Sequence, residues 1–138
     1  MARIDRYEDL IAWQKAYRLA LAVYEVTKEL PADERFGLTQ QLRRAAVSIP
    51  SNIAEGFGRH SRPDYLRFLD IARGSTYEVQ TQLRLAHDLG YLTETHCLEL
   101  VAEVERILNA LIASLRRKDE PTLGPRAPRP LGPFKAST

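Results

Sequence analysis

The sequence predicts an all-α protein: an antiparallel up-down-up-down four-helix bundle followed by a proline-rich C-terminal tail. Three observations lead there. Four long stretches repeat apolar residues at spacings of three and four, the mark of one buried helix face. Breaks of about three to six residues separate them, and connections that short favour antiparallel neighbours. At residue 119 the composition changes: the last twenty residues hold five prolines and two glycines. The bundle is therefore assigned to residues 1–118 and an extended, disordered tail to 119–138.

The first helix is expected from about Glu8 to Glu29, with Asp5 and Glu8 spaced for a capping box. Its core stripe reads Leu10, Trp13, Tyr17, Ala20 and Tyr24, and Leu30-Pro31-Ala32-Asp33 ends it. Helix two starts between Asp33 and Leu38 and runs to Gly56-Phe57-Gly58, whose glycines suit the left-handed backbone that closes helices. Leu42, Ala45, Ile49 and Ile53 form its apolar stripe. Pro50 interrupts that pattern, since it lacks an N–H and its ring collides with the carbonyl four residues earlier, at about 3 kcal/mol. Ser48, Ser51, Asn52 and Glu55 make a second, polar stripe suited to bonding backbone groups freed by a kink.

Helix three opens at Ser61, with Asp64 three residues on and Pro63 in the first turn, where proline is tolerated. Tyr65, Phe68, Ala72, Val79, Leu83 and Ala86 mark its buried side up to Gly90. Gly74 in mid-helix costs about 1 kcal/mol relative to alanine, which points to a close helix approach there. Helix four begins near Thr93 and ends around Arg116-Arg117-Lys118, cations that suit a C-terminal dipole. It is apolar over more than one face, from Cys97 to Leu115, and helix one adds Ile11, Leu19, Leu21 and Val23 to its stripe. Apolar surface beyond one core predicts self-association.

Composition excludes several classes. A chain of 138 residues with 44% hydrophobic content builds one core. The N-terminus is charged where a signal peptide is apolar, and the longest run, Leu19 to Tyr24, is far below the roughly 20 residues of a membrane span. Cys97 is the single cysteine, so no intrachain disulfide forms and a cytoplasmic location is expected. Net charge is +2, unevenly spread. From Arg35 to Arg84 there are eight arginines against four acids, while from Leu85 to Leu115 five acids face Arg106 alone.

No catalytic set emerges. His60, His87 and His96 lie on separate helix ends without metal-ligand spacing, and adjacent His96 and Cys97 diverge by roughly 100° on a helix. Ser48 or Ser51 with Glu55 lacks a nearby histidine base, and Gly56 and Gly58 lack the third glycine and preceding strand of a dinucleotide fingerprint. A non-enzymatic protein without metal or cofactor is expected. Counting outward from the turn between helices two and three places Arg73 opposite the polar stripe, so Ser48, Asn52, Glu55 and Arg73 form a predicted structural network.

Ser48-Ile-Pro-Ser-Asn-Ile-Ala-Glu-Gly56, Ala72-Arg-Gly-Ser75, Leu89-Gly-Tyr-Leu92 and the opening Tyr7-Glu-Asp-Leu10 with Trp13-Gln-Lys-Ala16 occur in order at set spacings. Over about Tyr7 to Lys118 the chain resembles the four-helix-bundle family named for 23S rRNA intervening sequences, which is similar to the accessory proteins of diversity-generating retroelements. The resemblance implies a ring-like homopentamer with no enzymatic activity, and, through those accessory proteins, a basic surface for nucleic acid and a reverse transcriptase. The leading expectation is non-specific RNA or DNA binding through Arg43, Arg44, Arg59 and Arg62. The alternative is a protein–protein scaffold that docks a partner through the acidic helix-four surface or a ring face.

Overall fold

The computed structural model describes residues 3–118; the tail expected over 119–138 lies outside the described residues. Four helices follow one another: α1 (Ile11–Val26), α2 (Leu38–Phe57), α3 (Arg62–Asp88) and α4 (His96–Lys118). Each packs on its sequence neighbours, and α1 closes the square against α4, with no two Cα atoms within 8 Å across either diagonal among the described residues. This is the expected four-helix bundle.

Helix α1 starts three residues later than its charge pattern suggests. Tyr7–Asp9 form a short 3-10 turn and Leu10 is extended, so neither helix start has a side-chain cap. The expected capping box is absent because Asp5 and Glu8 pair instead with Arg3 and Arg6, each at 3.0 Å. The α1 core stripe is also rotated from the expected one. Ala12, Ala16, Leu19, Ala20, Val23 and Val26 are buried, whereas Tyr17 and Tyr24 are exposed. Alanine and aliphatic side chains let neighbouring helices approach, and the amphipathic rings take the half-wet flank. There Trp13 stacks on Tyr17 at 4.9 Å, and Tyr7 meets Trp13 edge-on at 5.3 Å.

Helix α2 runs unbroken through Pro50 and buries Leu42, Ala45, Ile49 and Ile53 as expected. Its start is fixed by Glu34, whose Oε1 accepts from the Leu38 amide at 3.0 Å while Oε2 accepts from the Tyr91 hydroxyl at 3.2 Å. At its end Gly58 keeps a right-handed φ of −79°, so the glycines there do not supply left-handed backbone. Gly56 is needed for space: a Cβ on it would lie 2.8 Å from Phe68 Cβ. Gly74, by contrast, has nothing within 4 Å of such a Cβ, so the close approach expected there occurs at Gly56.

Ser61 caps α3 by accepting from the Asp64 amide at 3.2 Å. The other end is a Schellman turn: Gly90 at φ 81° donates to the His87 carbonyl and Tyr91 to Ala86, both at 2.9 Å. Helix α4 starts slightly later than expected, with Glu94 Oε2 accepting from the Cys97 amide at 3.3 Å. Its surplus aliphatics, Leu98, Leu100, Ile107, Leu111 and Leu115, pack half-buried on the core. Among the helices, the exposed large apolar side chains therefore lie on α1, α2 and α3, with Ile11, Tyr17, Leu21, Val47, Ile71, Tyr77 and Leu85 among them.

Candidate nucleic-acid interface

The polar stripe of α2 resolves into smaller groups. Ser48 Oγ and Ser75 Oγ share a hydrogen bond of 2.8 Å between α2 and α3, and Asn52 Nδ2 donates to Ser48 Oγ at 2.9 Å and to the Ser48 carbonyl at 2.8 Å. Glu55 and Arg73 stay outside this group. Glu55 is exposed and accepts from Arg59 one turn on, at 2.7 Å. Arg73 faces α4, bonding Asp70 at 3.0 Å and Asn109 at 3.2 Å, with Arg116 on the other Asp70 oxygen at 3.4 Å. The physical reason is heptad spacing. On α3, Phe68, Ser75 and Gln82 recur every seven residues toward α2, while Arg73 and Gln80 recur on the α4 flank, where Gln80 reaches Glu105 at 2.7 Å.

The four arginines also separate. Arg43 and Arg44 sit in the first half of α2; Arg59 follows its last turn and Arg62 opens α3. The helix rises about 21 Å over the fourteen residues from Arg43 to Phe57, so the two pairs do not bracket one site. At the lower end Arg59 is tied to Glu55, and Arg59 and Arg67 each place their Cζ 4.7 Å from the Phe68 ring centroid. Arg67 also has Asp64 at 3.9 Å.

The upper pair has acquired a third member. Arg35, Arg43 and Arg44 line a cleft of about 350 Å³ with Tyr24, Phe36, Thr39 and Gln40. Arg43 is held in place: Nε donates to Thr27 Oγ1 at 2.8 Å, Nη2 to the Tyr24 carbonyl at 3.3 Å, and Cζ lies 4.8 Å from the Tyr24 ring centroid. Thr27 is fixed in turn by donating to the Val23 carbonyl at 2.7 Å. Arg35 lies 5.7 Å from the centroid of Phe36, which is 81% exposed. Among the described residues none of these three guanidiniums has a carboxylate within ion-pair distance. Arg35, Phe36 and Tyr24 were not singled out from the sequence as site residues. The Arg35-Phe36 pair in a helix-breaking stretch was the available signal.

On the opposite edge the acidic surface of α4 is partly consumed internally. Glu103 pairs with Lys15 at 3.1 Å and Glu105 accepts from Gln80. Cys97 is buried, and burial together with neighbouring Glu94 pushes its thiol pKa up to about 12. No group of three or more metal-ligating side chains occurs among the described residues, and no helix there is long and apolar enough to cross a membrane.

A family model described as 23S rRNA-intervening sequence protein matches residues 8–113, which spans all four helices but the last turn of α4. The chain belongs to that family. Among solved structures, the family bundle is similar to a protein of unknown function from the S23 ribosomal protein family of Bacteroides thetaiotaomicron, at 24% identity and a TM-score of 0.67. The match covers 74% of this chain and 98% of the other, and it shows the shared fold. No curated protein matches.

Proposed function

We propose that this family member is a non-enzymatic homo-oligomer that binds RNA or DNA without sequence preference through the basic cleft between α1 and α2. The observation that carries this reading is the convergence of Arg35, Arg43 and Arg44 in one cleft with no carboxylate partner among the described residues. Guanidiniums that line one cleft without a carboxylate favour an anion there, and a phosphate backbone offers them bidentate contacts. Such contacts read charge and position rather than sequence. In a ring of five, as the family resemblance implies, the cleft recurs around the assembly and avidity multiplies weak contacts. Arg59 and Arg62, at the other end of α2, form a secondary locus in this reading.

Arg35→Glu with Arg44→Glu tests it, because both residues are exposed and Arg43 keeps its anchoring bonds. Gel-shift binding to RNA and to DNA is expected to disappear while the melting temperature is retained. Wild-type affinity should fall with salt at a log–log slope of about −0.7 to −0.9 per phosphate contacted. A wild-type protein that shifts neither polymer at about 50 mM salt, where backbone contacts are strongest, refutes nucleic-acid binding and leaves the protein-docking scaffold.

A further inference from the structure

We infer that the cleft is built for single-stranded nucleic acid, with an unpaired base stacked on Phe36 and flanking phosphates held by Arg35 and Arg44. This deepens the nucleic-acid reading and rests on it. Phe36 is 81% exposed, against 61% for the next large apolar side chain, Ile11. It precedes α2 in the connection from the Ala32–Glu34 turn and makes no ring–ring contact among the described residues. Beyond the flanking Arg35 guanidinium at 5.7 Å, a ring this exposed buries little within the chain and keeps most of its face open to a binding partner.

The neighbours of the ring select the partner. Three arginines without a carboxylate partner among the described residues line the same cleft, so an apolar peptide or an uncharged ligand leaves their charge unused, whereas a polyanion engages it. Duplexes present phosphates but keep the faces of their bases inside the stack. An unpaired strand offers both phosphate and a flat π-face, the pairing of basic groove with aromatic platform that binds single strands without sequence preference. Tyr24, already against Arg43, is the second ring in the cleft, and Thr39 and Gln40 supply adaptable hydrogen bonds to base edges.

The test measures fluorescence anisotropy with a labelled oligothymidylate and with a mixed-sequence duplex of equal length, on wild type, Phe36→Ala and Phe36→Trp. Phe36→Ala is expected to weaken single-strand binding about tenfold, with an unchanged salt slope and unchanged duplex affinity. Phe36→Trp should retain single-strand affinity, and its added indole should be quenched by the oligothymidylate but not by the duplex. If wild type binds both polymers and Phe36→Ala weakens neither, or both equally, stacking is overturned while backbone binding stands. If wild type binds neither, both readings fall together. If Phe36→Ala changes the mass measured by light scattering, Phe36 is a subunit contact and the inference is overturned.

Discussion

At Gly56 the backbone of α2 meets α3 so closely that an added methyl would lie 2.8 Å from Phe68 Cβ and 3.2 Å from the Tyr65 carbonyl oxygen. Neither is a flexible side-chain tip, so one helix must move. Gly56→Ala is expected to destabilise by about 1–3 kcal/mol in denaturant unfolding. Gly74→Ala meets nothing within 4 Å and should stabilise by up to about 1 kcal/mol through helix propensity alone. The sequence displays both glycines in helical context and cannot rank them, since clearance depends on where two axes cross. Titration follows the same logic. Burial raises the Cys97 thiol from 9.0 and the Tyr65 hydroxyl from 10.0 to about 12 each. Between those values the unfolded chain releases protons that the folded chain keeps, so stability should be level for these groups below about pH 9 and fall as pH rises toward 12. Melting curves from pH 7 to 11 check the sign, and Cys97 should react with a thiol reagent only after unfolding.

Among the elements, α2 was the most legible and α1 the least. The α2 stripe is aliphatic on one side and polar on the other, so period and chemistry agree on which side is buried. In α1 two stripes compete, and the larger residues in the Trp13–Tyr17–Tyr24 series suggested the core. The structure places the smaller Ala12–Ala16–Leu19–Val23 series there, because helix spacing depends on side-chain size at the contact. The polar residues divide likewise by the helix each one faces. Glu55, bonded only to Arg59 one turn away at the surface, should tolerate Glu55→Ala within about 0.5 kcal/mol, against the expectation of a buried network. Ser75 is 6% exposed and bonded to Ser48, so Ser75→Val should remove the bond that joins α2 to α3, leave Ser48 with Asn52 alone and cost about 0.5–1.5 kcal/mol. Thermal melts of the two variants separate a structural pair from a surface one. Of the basic site, Arg43 and Arg44 were legible as a close pair; Arg35 joins them only because the turn before α2 folds back beside Tyr24.

For the whole molecule, the distribution of exposed apolar side chains bears on how copies would assemble. A ring with an odd number of subunits has no isologous contacts, so each subunit must present two different, complementary patches. Two candidates sit on different helices. One combines Tyr17 and Leu21, one turn apart on α1, with Val47 of α2; the other is the outer face of α3, where Ile71 and Tyr77 flank the exposed, side-chain-free Gly74. Helices α1 and α3 are diagonal in the square bundle, which suits head-to-tail assembly. Under the proposed oligomer, light scattering at micromolar protein gives several times the 15.7 kDa chain mass. Leu21→Glu and Ile71→Glu should each reduce that to the monomer mass without altering helicity, because each spoils one of the two patches. Mixed in equal amounts, the two variants retain one intact patch apiece and should form a one-to-one dimer that grows no further. An isologous contact predicts no recovery on mixing, and a variant that keeps the wild-type mass removes its patch from the interface.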